Sequence, residues 1–254
     1  MDFGRFRLAA STADLADEPA AREHADLVEF RLDLAAEPMA QLRAYDGELP
    51  LLVTNRVAWE GGEAADTARR LDQLATAVEH PSVEAVDLEL AALVEDAGDS
   101  VETAEADHSA TRVRNAAREH GVAVLASVHD FEGAPDRGRM AELLARGSEH
   151  GDVAKLAVTA GSPDDVLDLL AVTRTATREG RRVATRAMGE PGRHSRAVAP
   201  LYGSRVGYAP VDPAEATAPG QYDLATLAGL VERLGVVRAE DSTGGHHPPS
   251  SSGD

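Results

Sequence analysis

The sequence predicts a single (β/α)8 (TIM) barrel, a prediction that rests on three observations. Eight short β-type runs alternate with eight helical stretches along a chain of 254 residues. The Gly, Pro and Asp residues between these runs stand where loops are expected. No glycine-rich phosphate loop follows the first run, where the sequence reads RLAAST, so a doubly wound open sheet is the weaker alternative. One parallel barrel of about 250 residues fits this pattern best.

The predicted strands are short runs rich in apolar residues, and they cover residues 6–11, 26–34, 50–56, 84–90, 122–130, 152–158, 182–188 and 205–211. The predicted helices are Ala-, Leu-, Glu- and Arg-rich segments with helical spacing, and they cover residues 13–24, 36–45, 63–79, 104–119, 136–149, 163–179, 193–201 and 222–234. We expect the barrel to occupy residues 1–238 as one domain. The segment 239–254 is rich in Gly, Ser and Pro and is expected to be disordered.

The composition is strongly acidic, with a net charge of −19, and 24 of the 25 basic residues are arginine. Such a surface repels nucleic acid and anionic membranes, so neither is expected as a partner. Its self-repulsion is screened best in concentrated salt, where the Debye length falls to roughly 3 Å at 1 M. The composition therefore indicates a halophilic protein, although a GC-rich genome would also favour Arg and Ala.

No sequence signal points to export, membrane insertion or disulfide bonding. The chain has no cysteine, which excludes disulfides and thiolate metal ligands. No apolar run approaches the roughly 20 residues that span a bilayer. The N-terminal MDFGRFRLAAS lacks the apolar centre and cleavage site of a signal peptide, so we expect a cytoplasmic protein.

Polar residues recur near the carboxyl ends of the predicted strands, where barrels keep their catalytic side chains. They are Glu29, Arg31 and Asp33 at alternate positions, Thr54, Arg56, Asp87, Glu89, Ser127, His129 and Asp130. Each pair could be a structural ion pair. Helices cover the outer face of a parallel barrel, however, so charges from several adjacent strands are expected to converge on an interior site.

Lys155 is the single lysine of the chain and lies in the apolar run DVAKLAV. Arginine stays protonated and is a poor nucleophile, whereas a desolvated lysine can lose its proton and attack a carbonyl to form an iminium. Nearby Arg31, Arg56 and Arg196 could lower its pKa. A lysine that has no function, and is present only by chance in a chain that otherwise uses arginine, would be expected on a helix surface. Lys155 lies in an apolar strand-like run instead, so we interpret it as a Schiff-base nucleophile.

An iminium acidifies the neighbouring carbon, so a general base should accompany the lysine. His129, at the end of the adjacent predicted strand, is the natural candidate, and Glu60 in the loop after the third strand is its carboxylate partner. These residues predict a Schiff-base lyase or aldolase and leave the substrate open.

Taken together, eight motifs resemble the type I 3-dehydroquinate dehydratase family, in the family's order and to about residue 235. They are EFRLD (29–33), TNRVAWEGGE (54–63), VDLEL (86–90), SVHDFEGAP (127–135), AKLAV (154–158), MGEPGRHSR (188–196), LYGSRVGYA (201–209) and TAPGQ (217–221). Each motif alone is weak, but eight in register are specific.

The resemblance implies a barrel that eliminates water from 3-dehydroquinate, giving 3-dehydroshikimate in the shikimate pathway of aromatic amino-acid synthesis. Lys155 would form the Schiff base, His129 would move protons and Glu60 would orient His129. Arg196 would clamp the substrate carboxylate. The other implied substrate-binding residues are Ser11, Glu29, Arg31, Arg56, Met188, Tyr208, Ala218 and Gln221.

The resemblance also implies no metal or organic cofactor, a homodimer, and a barrel without the N-terminal closing hairpin of longer relatives. Ala134, Asn55 and Tyr208 depart from residues common in the family, which affects pocket detail. Two other functions remain open. A class I aldolase or transaldolase is disfavoured because the arginine-rich site suits a carboxylated polyhydroxy ring better than a sugar phosphate. A non-catalytic ligand-binding barrel is disfavoured by the intact Lys, His and Glu set.

Overall fold

The computed structural model describes residues 1–64, 67–94, 101–212 and 221–238, and within them eight parallel strands form one sheet. The strands are β1 (Arg7–Thr12), β2 (Leu27–Arg31), β3 (Leu51–Thr54), β4 (Val83–Glu89), β5 (Ala123–Asp130), β6 (Val153–Thr159), β7 (Val183–Met188) and β8 (Val206–Pro210). Every predicted strand is confirmed, with its ends shifted by a few residues.

Helices follow the strands and pack on the outside of the sheet. They are α1 (Glu18–Ala21), α2 (Pro38–Ala44), α3 (Thr67–Ala77), α4 (Leu90–Leu93), α5 (Val101–Glu119), α6 (Arg137–His150), α7 (Pro163–Arg178), α8 (Ser195–Tyr202) and α9 (Leu224–Arg233). The sequence did not predict α4, a single turn directly after β4. The first predicted helix is also too long, because a 3-10 turn at Leu15–Asp17 precedes the four-residue α1.

The sheet closes into a (β/α)8 barrel with one open seam, which confirms the predicted fold. The strands run in the order β7-β6-β5-β4-β3-β2-β1-β8, so β7 and β8 are the two edges. They share no continuous ladder. The backbone N–H of Arg205 donates to Val183 O at 2.7 Å, and the N–H of Thr185 donates to Ser204 Oγ at 3.0 Å.

The lower half of the barrel interior is apolar. One inward side chain from each strand contributes to this layer: Ala9, Leu27, Leu52, Ala85, Leu125, Val153, Ala184 and Val206. Phe3, which is 2% exposed, packs against the layer from the N-terminal segment. Residues 1–6 form no hairpin, as expected, and the Phe3 ring covers the lower layer instead.

Parts of the sequence prediction fall outside the described residues, namely Ala218 and the segment 239–254. The one-domain boundary at residue 238 therefore stays a prediction. Among the helices that the structure does describe, none is long and apolar enough to cross a membrane.

Candidate active site

Above the apolar layer, the barrel interior becomes polar toward the carboxyl ends of the strands. Side chains two residues apart on a strand share a face, so Lys155 stands above Val153 and Asp87 above Ala85. The polar side chains around Lys155 line a cavity of about 50 Å³, which we call the lysine pocket. Its lining residues are Ser11, Glu29, Arg31, Thr54, Arg56, Glu60, Gly61, His129, Phe131, Lys155, Arg186, Met188 and Gln221.

Lys155 is buried at the base of this pocket and is 5% exposed. Its Nζ donates to Asp87 Oδ2 at 2.7 Å and lies 3.9 Å from Glu29 Oε1. The Tyr208 ring lies beneath the amine, with 4.4 Å between Nζ and the ring centroid. Burial lowers the pKa of Lys155; Asp87 and Glu29 oppose that shift, while Arg186 and Arg56 reinforce it. The neutral, nucleophilic form of the amine is therefore easier to reach than in an exposed lysine.

A buried ion network holds the lysine's partner in place. Arg56 donates from Nη2 to Asp87 Oδ1 at 2.6 Å and from Nη1 to Glu89 Oε1 at 3.0 Å. Arg70 of α3 donates to the other oxygen of Glu89 at 2.8 Å. Burial would raise the pKa of Asp87, but Arg56 and Lys155 hold it well below its usual range, so this carboxylate stays ionised.

His129 lies at the end of β5, beside the lysine strand, and its side chain is 5% exposed. Its Nδ1 lies 2.9 Å from Glu60 Oε2, and its Nε2 lies 3.4 Å from Arg186 Nη2. A guanidinium can only donate, so Nε2 is the acceptor and Nδ1 carries the proton toward Glu60. Burial, with Arg56, Lys155 and Arg186, lowers the pKa of His129 well below 6.5, which keeps the imidazole neutral.

Two buried glutamates hold polar side chains of the pocket by hydrogen bonds: Glu60 contacts His129, and Glu29 contacts Ser11 and Thr54. Burial raises the pKa of Glu60 to about 8, against the opposing charge of Arg56. Glu29 accepts from Ser11 Oγ at 2.5 Å and from Thr54 Oγ1 at 3.1 Å. Arg31 donates twice to Asp33, at 2.9 and 2.7 Å, so its charge is neutralised within β2 and the turn that follows.

The loop that carries Glu60 is built on a glycine and covers the histidine. Gly61 has a left-handed φ of 78° and ends the 3-10 turn Ala58–Glu60. A Cβ on Gly61 would lie 2.4 Å from the Phe131 ring, so the loop and that ring are in close contact. The Phe131 ring in turn stacks near His129, with 6.2 Å between ring centroids. Residues 63 and 64 are not helical, although the sequence predicted a helix from residue 63, and α3 is described from Thr67.

The structure brings most of the predicted site together. Nine predicted residues line the lysine pocket: Ser11, Glu29, Arg31, Arg56, Glu60, His129, Lys155, Met188 and Gln221. Tyr208 lies beneath the lysine, and Ala218 is outside the described residues. Asp33 was expected to share the interior face of β2, but the strand ends at Arg31 and Asp33 lies in the turn beyond it.

Arg196 lies in a different cavity. It lines a second, smaller cavity of about 10 Å³ at the open seam, the seam cavity, together with Phe6, Thr185, Arg186, Ala199, Pro200, Ser204, Val206, Gly207 and Tyr208. None of its three side-chain nitrogens has a hydrogen-bond partner among the described residues. Burial and the charge of Arg186 lower its pKa to about 9. Of the three arginines expected to lower the pKa of Lys155, Arg56 is among the largest causes, and the other large arginine contribution comes from Arg186.

Sequence reasoning did not select Arg186, although a signal for it was present. The residue lies two positions before Met188 on β7, so both side chains point into the barrel. Asp87, Glu89 and Ser127 were seen as polar strand residues but were not assigned to the site. Across the described part of the chain, no group of three or more His, Cys, Asp or Glu residues is arranged to hold a metal ion.

The fold and the pocket define a (β/α)8-barrel protein with a buried amine and a neutral imidazole at the carboxyl ends of its strands. The sequence profile of the type I 3-dehydroquinase family matches residues 8–236. The chain belongs to that family. It is 63% identical to the 3-dehydroquinate dehydratase of Haloarcula marismortui, over 92% of this chain and 98% of the relative. It is 52% identical to that of Halobacterium salinarum, over 92% and 100%.

Solved structures of the same family share the fold. The 3-dehydroquinate dehydratase of Geobacillus kaustophilus is 28% identical, with a TM-score of 0.77 over 91% of this chain and 92% of that one. The type I enzyme of Clostridium difficile, solved with covalently modified comenic acid, is 26% identical, with a TM-score of 0.74 over 91% and 92%. Relatives from two halophilic archaea agree with the halophilic interpretation of the acidic composition.

Proposed function

We propose that this chain is a 3-dehydroquinate dehydratase that works through a Schiff base on Lys155. The observation that carries the proposal is the buried amine whose pKa is lowered, next to a neutral His129 in one pocket. Membership of the type I family supports the substrate. The net reaction converts 3-dehydroquinate to 3-dehydroshikimate and water, within the shikimate pathway.

The first step is imine formation. The neutral Lys155 amine attacks the ketone carbon, and the resulting carbinolamine loses water to give an iminium. Asp87, which stays ionised at 2.7 Å from Nζ, stabilises the positive charge that the nitrogen gains. Burial beneath the polar layer keeps competing water away from the amine.

The second step is elimination, with His129 as the proton carrier. Its unprotonated Nε2 removes a proton from the carbon next to the iminium, giving an enamine. The imidazolium then protonates the hydroxyl on the next carbon, which leaves as water while the iminium forms again. Addition of water to the iminium releases the product and regenerates Lys155. Glu60, 2.9 Å from Nδ1, holds the ring in the tautomer that this step requires.

The other predicted residues bind the substrate ring. Glu29 and Arg56, with Arg31 and Ser11, offer hydrogen bonds to the ring hydroxyls from three adjacent strands. Met188, Tyr208 and Gln221 form the remaining walls, and Ala218 is assigned to the same set. Arg196, at the seam cavity, is proposed to reach the substrate carboxylate.

Borohydride reduction in the presence of 3-dehydroquinate tests the proposal. Since Lys155 is the single lysine, intact-mass analysis in concentrated salt should show one adduct. Lys155→Ala should lose both adduct and turnover. Lys155→Arg is the matched control for folding, because it keeps the positive charge beside Asp87 and cannot form an imine.

Three results would argue against the proposal. Absence of adduct and of turnover in the wild-type protein would overturn it. An adduct that persists in Lys155→Ala would move the chemistry to the N-terminal amine. Trapping of triose sugars in place of 3-dehydroquinate would favour an aldolase.

We further propose a cytoplasmic homodimer. Exposed apolar residues support an interface, including Leu201 and Tyr202 on α8, which are 49% and 39% exposed, and Leu167 on α7, which is 60% exposed. Light scattering coupled to gel filtration in concentrated salt tests this. A monomer mass for the wild-type protein would contradict the dimer.

A further inference from the structure

Arg186 differs from the other cations of the lysine pocket in having no carboxylate partner. Arg31 is paired with Asp33, and Arg56 is paired with Asp87 and Glu89. No carboxylate of the described residues lies within ion-pair distance of Arg186, and its buried Nε has no hydrogen-bond partner among them. Burial of a cation without a counterion is energetically unfavourable, so binding of an anion beside Arg186 would be favourable.

The position of Arg186 fits a ligand that reaches from the amine to the seam. It is the lining residue shared by the lysine pocket and the seam cavity, as far as the described residues show. Its guanidinium and the Lys155 amine lie over the same Tyr208 ring, at 5.1 and 4.4 Å from the centroid. Arg196, whose side-chain nitrogens have no hydrogen-bond partner among the described residues, lines the seam cavity together with Arg186.

We propose that Arg186 binds the carboxylate of the substrate, together with Arg196, while the ketone of the same ring lies at Lys155. This inference rests on the proposed function, because it assumes a ring that carries a ketone and a carboxylate. In this structure the Nη2 of Arg186 donates to His129 Nε2 at 3.4 Å. Binding of the carboxylate draws that donor away and frees Nε2 to accept a proton. Arg186 is thus a catalytic and specificity-determining residue.

Arg186→Met and Arg186→Gln test the assignment, and Arg182→Met is the matched control at the exposed residue directly before β7. The probes are quinate, in which a hydroxyl replaces the ketone, and its methyl ester, with calorimetry in concentrated salt. The wild-type protein and the control should prefer the acid. Both Arg186 variants should show a smaller preference for the acid, since only Arg196 then remains, and KM for 3-dehydroquinate should rise about 10- to 100-fold, because a charge-assisted hydrogen bond is removed.

Retention of the full acid-over-ester preference in the Arg186 variants overturns the inference. A fall in kcat with an unchanged KM does so too, because that pattern belongs to a residue that only positions His129. Since Met replaces an uncompensated cation, the melting temperature of Arg186→Met should rise. If Arg186→Met does not fold, the same measurements are made on Arg186→Gln. Failure of the proposed function is recognised separately, because the wild-type protein itself would then neither turn over nor trap 3-dehydroquinate.

Discussion

Lys155 Nζ and Asp87 Oδ2 are 2.7 Å apart inside the barrel, and the other oxygen of Asp87 accepts from Arg56 at 2.6 Å. One buried carboxylate thus faces two cations. Burial pushes the lysine toward its neutral form and Asp87 pulls it toward the charged form, so the pKa of the amine depends on this pair.

Asp87→Asn should lower the pKa of Lys155 further, because the carboxylate that favours the ammonium is gone. The pH of half-maximal borohydride trapping should move down. The free energy of unfolding should fall by roughly 3–5 kcal/mol, since Arg56 and Lys155 lose a buried partner. Urea unfolding measures this. Asp72→Asn, in an exposed ion pair with Arg112, is the control and should change stability by less than about 0.5 kcal/mol. An unchanged or higher trapping midpoint would contradict the assigned role of Asp87.

The pH dependence of kcat/KM should include the ionisations of His129 and Lys155, and activity should increase with pH through both. The lower belongs to His129, whose neutral form is the base and whose pKa is lowered well below 6.5 by burial. The upper belongs to Lys155, whose neutral form is the nucleophile and whose pKa is lowered from 10.5. A plateau should therefore be reached below pH 10.5. An ionisation at or above 10.5 would show that the amine is not perturbed as described.

Gly61→Ala should lower kcat/KM strongly while it lowers the free energy of unfolding only slightly. The new methyl group would enter the Phe131 ring at 2.4 Å and move the loop that holds Glu60 against His129. Gly180→Ala is the matched control, because Gly180 also has a left-handed φ, of 84°, yet has open space around its Cα. Both variants should lose about 1 kcal/mol of stability. Only Gly61→Ala should lose most of its kcat/KM, and equal kinetic effects would refute a role for the loop contact.

Salt should stabilise the folded chain. With a net charge of −19, repulsion between surface carboxylates falls as potassium chloride rises from about 0.1 to 1 M, where the Debye length shrinks from roughly 10 to 3 Å. The urea midpoint should increase over that range, and kcat/KM should follow it. A protein that is fully folded and active without added salt would show that the composition reflects genome bias.

The sequence was sufficient for the parts of the fold that depend on local pattern. Alternation of strand and helix predicted all eight strands, and the two-residue period of a strand placed Glu29, Lys155 and His129 on interior faces. Contacts that depend on three-dimensional closure were not predictable. Arg196 was expected beside Lys155, yet it lies in the first turn of α8 and its side chain lines the seam cavity.

Two other differences have local causes. Asp33 does not line the lysine pocket, because β2 ends at Arg31 and the strand alternation ends with it. Asp33 instead accepts two hydrogen bonds from Arg31. Arg186 was overlooked among 24 arginines, although its place two positions before Met188 on β7 was a signal. Its lack of a carboxylate partner, which makes it notable, is visible only when all neighbouring strands are in place.

The open seam also determines where the barrel opens locally at the lowest free-energy cost. At this edge the strands depend on Arg205 N–H to Val183 O and on the side chain of Ser204, whereas every other neighbouring pair shares a full ladder. Amide protons of β7 and β8 should therefore exchange with deuterium sooner than those of β4 and β5. A carboxylate bound by both Arg186 and Arg196 would link β7 to α8 at that edge. Ligand binding should therefore slow amide exchange at the seam.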